Sequence, residues 1–126
     1  MLNQIVLVGR LVKDPELRTS ESNKPYSFIT LAIPRSYKNV DGMYDSDYID
    51  CILWEGVAKN TTEYCKKGDI VGVKGRIESR VYEKNNEKKY VTEIVAERVT
   101  FLSSNNKQRK EVIEKENTPN KRKEAE

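Results

Sequence analysis

Five stretches of the chain have the residue types and the period of β-strands, and they constrain the fold more than any other feature. In a strand, successive side chains point to opposite faces, so one face can be apolar and the other polar. The stretches are NQIVLVGRLV (residues 3–12), YSFITLAIPR (26–35), YIDCILW (48–54), IVGVKGRIESRVYEK (70–84) and KYVTEIVAERVTFL (89–102). Gly9 predicts a bulge or bend in the first strand, and Pro34 predicts the end of the second.

Two short turn sequences connect four of these strands. Asp41-Gly42 is a strong turn dipeptide, and it predicts the tip of a long hairpin between the second and third strands. Asn85-Asn86 lies between the fourth and fifth strands and predicts a second hairpin.

The segment between the third and fourth strands has a different period. Val57, Thr61 and Tyr64 or Cys65 recur at helical spacing, and Gly68 occupies the position expected for a left-handed helix cap. One short helix is therefore predicted there. An all-β chain of five strands with one helix between strands three and four is typical of the OB-fold, a five-stranded Greek-key barrel.

The chain is predicted to form one domain followed by a tail. With 126 residues, of which 37% are hydrophobic and 34% charged, it can build one modest core. Residues 105–126 contain seven basic and five acidic side chains and no aromatic residue, which is too little apolar surface to offset the entropy of ordering. We therefore expect an OB-fold domain over residues 1–104 and a disordered, charged tail over 105–126.

Several function classes are disfavoured by what the sequence lacks. There is no histidine, which excludes catalysis based on a histidine base, and Cys51 and Cys65 are expected to be free, buried core residues. The sequence GVKGR lies within a strand and lacks the spacing of a phosphate-binding loop. Four carboxylates near the first hairpin could be imagined as metal ligands but are interpreted as solvated loop charges: Asp41, Asp45, Asp47 and Asp50. We therefore expect that the chain is not an enzyme and binds no metal or cofactor, and that it has no membrane segment. We also expect a cytoplasmic location, because the N-terminus lacks the features of a secretion signal.

Aromatic and basic residues occur together at three places, on two predicted strands and at the base of the first hairpin. The fourth strand places its cations and one tyrosine on the face opposite the core, with Glu78 as the only acid among them: Lys74, Arg76, Arg80, Tyr82 and Lys84. The third strand adds Tyr48 and Trp54, and the base of the first hairpin adds Arg35, Tyr37 and Lys38. Aromatic rings can stack on unpaired bases while cations follow phosphates, so this pattern favours binding of a single nucleic-acid strand. Two alternatives stay open: alternation that only keeps a strand soluble, and core packing for Trp54.

Over residues 3–102 the sequence resembles the bacterial single-stranded DNA-binding protein family, SSB. The resemblance lies in NQIVLVGRLVKDPELR, FITLAI, WEGVAKN followed by YCKKGDIVGVKGRI, and YVTEIVAERVTFL. It implies a homotetrameric OB-fold that coats single-stranded DNA in replication, recombination or repair. It places the stacking aromatic residues at Tyr37, Tyr48, Trp54 and Tyr82. It places phosphate contacts at Arg10, Arg35, Lys38, Lys74, Arg76, Arg80 and Lys84.

The C-terminal sequence departs from the pattern of this family. Members that act in genome replication usually end in a short acidic tip that docks partner proteins, whereas this chain ends in NKRKEAE. Partner docking by that route is therefore not expected. The tail is also shorter than the linkers common in the family. In this respect the chain resembles a family member from a mobile element, a phage or a transformation pathway.

The first strand bears on assembly, because it is apolar on both faces. Ile5 and Leu7 lie opposite Val6 and Val8, which predicts a second buried surface supplied by another subunit. The alternative is cover from the chain's own helix or N-terminal segment. For function, the alternative to DNA coating is an OB-fold accessory protein of the primosomal type, acting mainly as a docking module.

Overall fold

A computed structural model describes residues 1–103 and shows six strands and one helix. The predicted tail over 105–126 lies outside the described residues. The elements in chain order are β1 (Ile5–Leu11), β2 (Arg18–Thr19), β3 (Pro25–Lys38), β4 (Tyr44–Trp54), α1 (Glu55–Tyr64), β5 (Ile70–Lys84) and β6 (Glu87–Ser103).

The five long strands close into a barrel. The strands follow the order β1-β5-β6-β4-β3-β2 in one sheet, and an additional pairing of β1 with β3 joins its two sides. All pairings are antiparallel except that of β4 with β6. The predicted all-β OB-fold with one helix is confirmed. Strand β2, two exposed residues at the edge of β3, is an addition that the polar sequence around it did not indicate.

Gly9 lies where β1 changes partners, and this position requires a residue without a side chain. The pairing of β1 with β5 runs through Gly9 without a register shift, so the expected bulge is absent from this pairing. The next residues, Arg10 and Leu11, also pair with β3. A Cβ atom at Gly9 would lie 2.8 Å from Cγ1 of Ile33 and 2.9 Å from the carbonyl oxygen of Ala32. The glycine therefore permits the close approach that closes the barrel.

The core fills the barrel interior and the space beneath the helix. Its most buried apolar side chains come from alternate positions of the strands and are Leu11, Ile29, Leu31, Leu53, Val71 and Val73. Helix α1 contacts β3, β4 and β6 and buries Ala58 and Thr61 against them. It ends at Tyr64, and Cys65 is already extended, so Gly68 is not the helix cap. Gly68 is left-handed, with φ of 91°, within the turn that follows.

Two hairpins extend past the barrel as exposed arms. The β3–β4 arm includes Pro34–Lys38, where every residue is exposed. Strand β3 continues beyond Pro34 to Lys38, through a register shift in its pairing with β4. The prediction that this strand ends near Pro34 was therefore wrong. The β5–β6 arm is exposed on both faces from residue 78 to residue 90. Its turn residues Asn85 and Asn86 have φ of 56° and 62°, as a tight two-residue hairpin turn requires.

Candidate nucleic-acid interface

Three aromatic rings form a cluster on the outer face of β3 and β4. Tyr26 and Trp54 face each other in the strand register, with ring centroids 5.4 Å apart. Phe28 meets Tyr26 edge-on at 5.8 Å. Trp54 is 38% exposed and Phe28 is 46% exposed, so both present ring surface to solvent. Of the two interpretations open for Trp54, the structure supports a surface position rather than core packing.

The sequence-based site set omitted Tyr26 and Phe28. The same alternation that places Ile29 in the core places these two rings on the opposite face, so the signal was present. Phe28 has no basic residue within three positions and Tyr26 has only Lys24, so a pattern defined by several cations beside a ring did not select them.

Tyr48 continues the aromatic row along β4. It lies six residues before Trp54 on the same outer face, about 20 Å away at the rise of a strand, and its side chain is mostly exposed. Its partner in the register is the small residue Ala32, which leaves the ring uncovered. Between these rings, the Thr30 hydroxyl donates a hydrogen bond of 2.5 Å to Oδ1 of Asp50.

The first arm carries a tyrosine held beside an arginine. The Arg35 guanidinium lies 6.0 Å from the ring centroid of Tyr37 and donates a 3.4 Å hydrogen bond from Nη1 to the Tyr37 hydroxyl oxygen. Nη2 donates to Oδ1 of Asp47 at 2.8 Å. These hydrogen bonds lower the pKa of Asp47 and raise that of Arg35, so both groups stay charged. Nearer the tip, Nζ of Lys38 lies 5.8 Å from the Tyr44 ring.

The second arm repeats this arrangement. The Arg80 guanidinium lies 6.0 Å from the ring of Tyr82, which is 40% exposed, and Nε donates to Oε1 of Glu93 at 2.5 Å. Glu93 belongs to β6, on the other strand of the same arm. Lys84 ends β5 beside the turn and is exposed.

Cross-strand carboxylates balance more of the basic face than the sequence of β5 alone indicated. Arg76 donates to Glu78 at 2.7 Å and to Glu97 at 3.1 Å, and both bonds raise its pKa. Glu97 and Glu93 come from β6, and only the register between β5 and β6 brings them to this face. Glu78 is thus not the only acid near these cations.

Two predicted site residues lie apart from the arms. Arg10 is exposed on β1 and donates from Nη1 to the Gly68 carbonyl oxygen at 2.8 Å. Lys74 is exposed on β5, in register with Val6 of β1 and Arg98 of β6. The structure therefore places Trp54 and Tyr48 on one face of β4, and the other predicted residues on the two arms and the barrel wall.

The outer face of β1 is apolar and exposed. Val6 is 65% and Val8 is 52% exposed, so neither α1 nor the N-terminal segment covers them in the single chain.

Cys51 and Cys65 are both buried, as expected, and are not joined in a disulfide. Burial, with a smaller contribution from Asp50, raises the pKa of the Cys51 thiol to about 11. Within residues 1–103, no group of three or more Cys, Asp or Glu side chains is placed to hold a metal ion. No helix in that same range has the length and apolar character needed to span a membrane.

Comparison with known proteins gives one consistent result. The model of the single-strand binding protein family matches residues 2–102. Over 104 residues, the chain is 49% identical to single-stranded DNA-binding protein B of Bacillus subtilis (strain 168), covering 81% of this chain and 91% of that protein. It is also 49% identical over 105 residues to single-stranded DNA-binding protein 3 of Listeria innocua, covering 82% of this chain and 66% of that protein. With single-stranded DNA-binding protein 3 of Streptococcus agalactiae the identity is 45% over 109 residues, covering 86% and 79%.

Proposed function

The chain belongs to the single-strand binding protein family, and from that premise we propose that it binds and coats single-stranded DNA without requiring a specific sequence. The observation that carries this proposal is the row of exposed rings from Trp54 to Tyr48, together with two arms that each present a tyrosine beside an arginine. A duplex hides the faces of its bases, whereas a single strand offers them to such rings. The biological setting that fits is DNA replication, recombination or repair.

Base stacking supplies the part of binding that excludes duplex DNA. We assign it to the four predicted platforms Tyr37, Tyr48, Trp54 and Tyr82, each of which has exposed ring surface. Each stacked base contributes about 1–3 kcal/mol, and every base has a π-face, so the contribution is tolerant of sequence.

Phosphate contacts supply the salt-dependent part. Lys38 and Lys84 stand near the tips of the arms, and neither forms an ion pair among the described residues. Arg35, Arg76 and Arg80 are already paired with carboxylates, so a phosphate competes with a carboxylate there. The pairs of Arg35 and Arg76 are solvent-exposed, and exposed pairs are weak enough for such exchange. The pair of Arg80 is more covered, since the Glu93 side chain is 20% exposed. Arg10 and Lys74 would extend the phosphate path over the barrel.

We further propose that the chain acts as a homotetramer. Two exposed valines side by side on one strand, Val6 and Val8, form an apolar face that a second subunit would cover. Light scattering on the purified protein measures the subunit number, and a monomer at micromolar concentration would contradict this proposal.

A titration that follows tryptophan fluorescence tests the DNA-binding proposal. The chain has one tryptophan, Trp54, so quenching reports on one position. We expect oligo-dT to bind and quench its emission, and a duplex of equal length to bind far more weakly. Equal affinity for the duplex would contradict stacking. Absence of binding to both would favour the docking-module alternative.

A further inference from the structure

Asp50 places a carboxylate in the middle of the aromatic row. It is exposed on the outer face of β4, two residues from Tyr48 and four from Trp54. The Thr30 hydroxyl holds its Oδ1 at 2.5 Å from the neighbouring strand. An acid at this position is unexpected on a surface that must accept a polyanion.

No cation neutralises this carboxylate within residues 1–103. Each ion pair in that range joins other groups, and the nearest pairing on the same hairpin joins Arg35 to Asp47. Thr30 supplies the one hydrogen bond that Asp50 receives from a described side chain. A carboxylate has about four acceptor positions on its two oxygens, so most of its capacity, including all of Oδ2, stays available to a ligand.

The chemistry of the base edges indicates what such an acceptor can bind. Cytosine carries an amino group at N4, and adenine and guanine carry amino groups at N6 and N2, all of which donate hydrogen bonds. Thymine has a carbonyl oxygen at O4, where cytosine has its donor, and two acceptors facing each other do not bond. Carboxylates of Asp and Glu accept from cytosine N4 in known DNA interfaces.

We propose that Asp50 determines base preference: it accepts a hydrogen bond from the exocyclic amino group of a base stacked in the aromatic row. Thr30 is a positioning residue that orients the carboxylate. This rests on the proposed function, because it requires that bases stack on this face. The consequence is a bias toward cytosine over thymine that the stacking rings alone do not supply.

A simpler interpretation makes a different prediction. If Asp50 only repels phosphates, its removal strengthens binding to every oligonucleotide by the same factor. The ratio of the affinities for oligo-dC and oligo-dT would then stay constant. Cytosine and thymine are both pyrimidines, so the ratio of their affinities reports on the base edge and not on ring size. Comparing the ratio of each variant with that of the unaltered protein cancels intrinsic differences between the two oligonucleotides.

The test measures that ratio by fluorescence titration at neutral pH for the full chain and its variants. In Asp50→Ala, the dC/dT affinity ratio should fall by about threefold to tenfold, the net contribution of one typical hydrogen bond. Asp50→Asn should lower it at least as far, because the amide can donate to thymine O4. Thr30→Val keeps the shape of the side chain but removes the hydroxyl, and it should lower the ratio by a smaller factor.

Glu63→Gln is the matched control, since it removes one exposed carboxylate that belongs to α1 and not to the aromatic row. Its ratio should equal that of the unaltered protein. A fall of less than threefold in Asp50→Ala, or an equal fall in Glu63→Gln, would overturn the assignment to Asp50. If the unaltered protein binds neither oligonucleotide, the proposed function fails instead. Circular dichroism of each variant verifies that the fold is retained, and a misfolded Asp50→Ala leaves the isosteric Asp50→Asn to decide by the same threefold criterion.

Discussion

Replacing Tyr48 with alanine should weaken binding to single-stranded DNA while changing stability little more than a matched control. Tyr48 is 67% exposed, so about a third of its surface is covered by the protein. A fully buried tyrosine removes roughly 150–250 Å² from water. The covered part is then about 50–80 Å², which at ~25 cal/mol/Å² stabilises the fold by at most ~1–2 kcal/mol.

The matched control is Tyr90→Ala. Tyr90 is 77% exposed and pairs with Val81 in the register, on the face of the second arm opposite Tyr82. Its covered surface is about 35–60 Å² by the same reasoning, so the two variants should differ in the free energy of unfolding by less than ~1 kcal/mol. Their affinities should differ more. Loss of one stacking platform at Tyr48 costs about 1–3 kcal/mol, or roughly 5- to 150-fold in Kd.

The assay is fluorescence anisotropy of labelled oligo-dT together with thermal unfolding of the same samples. Tyr48→Ala is expected to lose affinity, and Tyr90→Ala is expected to keep it. Equal affinity losses in the two variants would show that the effect comes from stability or from total aromatic content. Unchanged affinity in a folded Tyr48→Ala would remove Tyr48 from the DNA path.

Three further predictions follow from the electrostatics of the structure. Alanine at both Lys38 and Lys84 should flatten the log–log salt dependence of single-strand binding by about 0.7 for each phosphate that is no longer neutralised, and an unchanged slope would place the phosphates elsewhere. Asp47→Asn should tighten DNA binding and steepen that slope, because it removes the carboxylate that competes with phosphate for Arg35; weaker binding in this variant would show that holding Arg35 beside the ring matters more. Burial raises the pKa of the Cys51 thiol from 9.0 to about 11, so the contribution of the neutral thiol to folding stability is complete below pH 9 and is lost as the pH rises through about 11. The free energy of unfolding measured against pH verifies this. Rapid reaction of the folded protein with a thiol reagent near pH 8 would contradict the burial of Cys51.

Period and turn chemistry were enough to predict most of the fold. Val71 and Val73 lie two residues apart on the face predicted to be apolar, and both are fully buried, as the pattern requires. Pro34 misled because a proline usually excludes a central strand, whereas here it lies on an exposed arm where a register shift accommodates it. Gly68 misled because sequence shows that a left-handed residue is needed nearby, but not which turn needs it.

The site was less predictable, because its electrostatics arise between strands. Arg35 and Tyr37 are two residues apart, so their shared face follows from sequence. Asp47 is twelve residues from Arg35 and Glu93 is thirteen from Arg80, and only the register of each hairpin makes them partners. A one-residue change of register would have turned these acids to the opposite face. Sequence therefore identified the cations but not what neutralises them.

The two arms share one local arrangement, and it bears on how binding depends on salt. Each has an arginine two residues before a tyrosine, with the guanidinium 6.0 Å from the ring and an acid on the partner strand: Arg35, Tyr37 and Asp47 on one arm, Arg80, Tyr82 and Glu93 on the other. The carboxylate fixes the arginine beside the ring before DNA arrives, which lowers the entropy cost of ordering both side chains on binding. A phosphate that replaces the carboxylate keeps the arginine in place but leaves the acid without its cation, at Asp47 with 44% and at Glu93 with 20% of the side chain exposed. Each such exchange substitutes one anion for another, so these arginines should contribute less to the salt dependence than Lys38 and Lys84, which form no ion pair within residues 1–103.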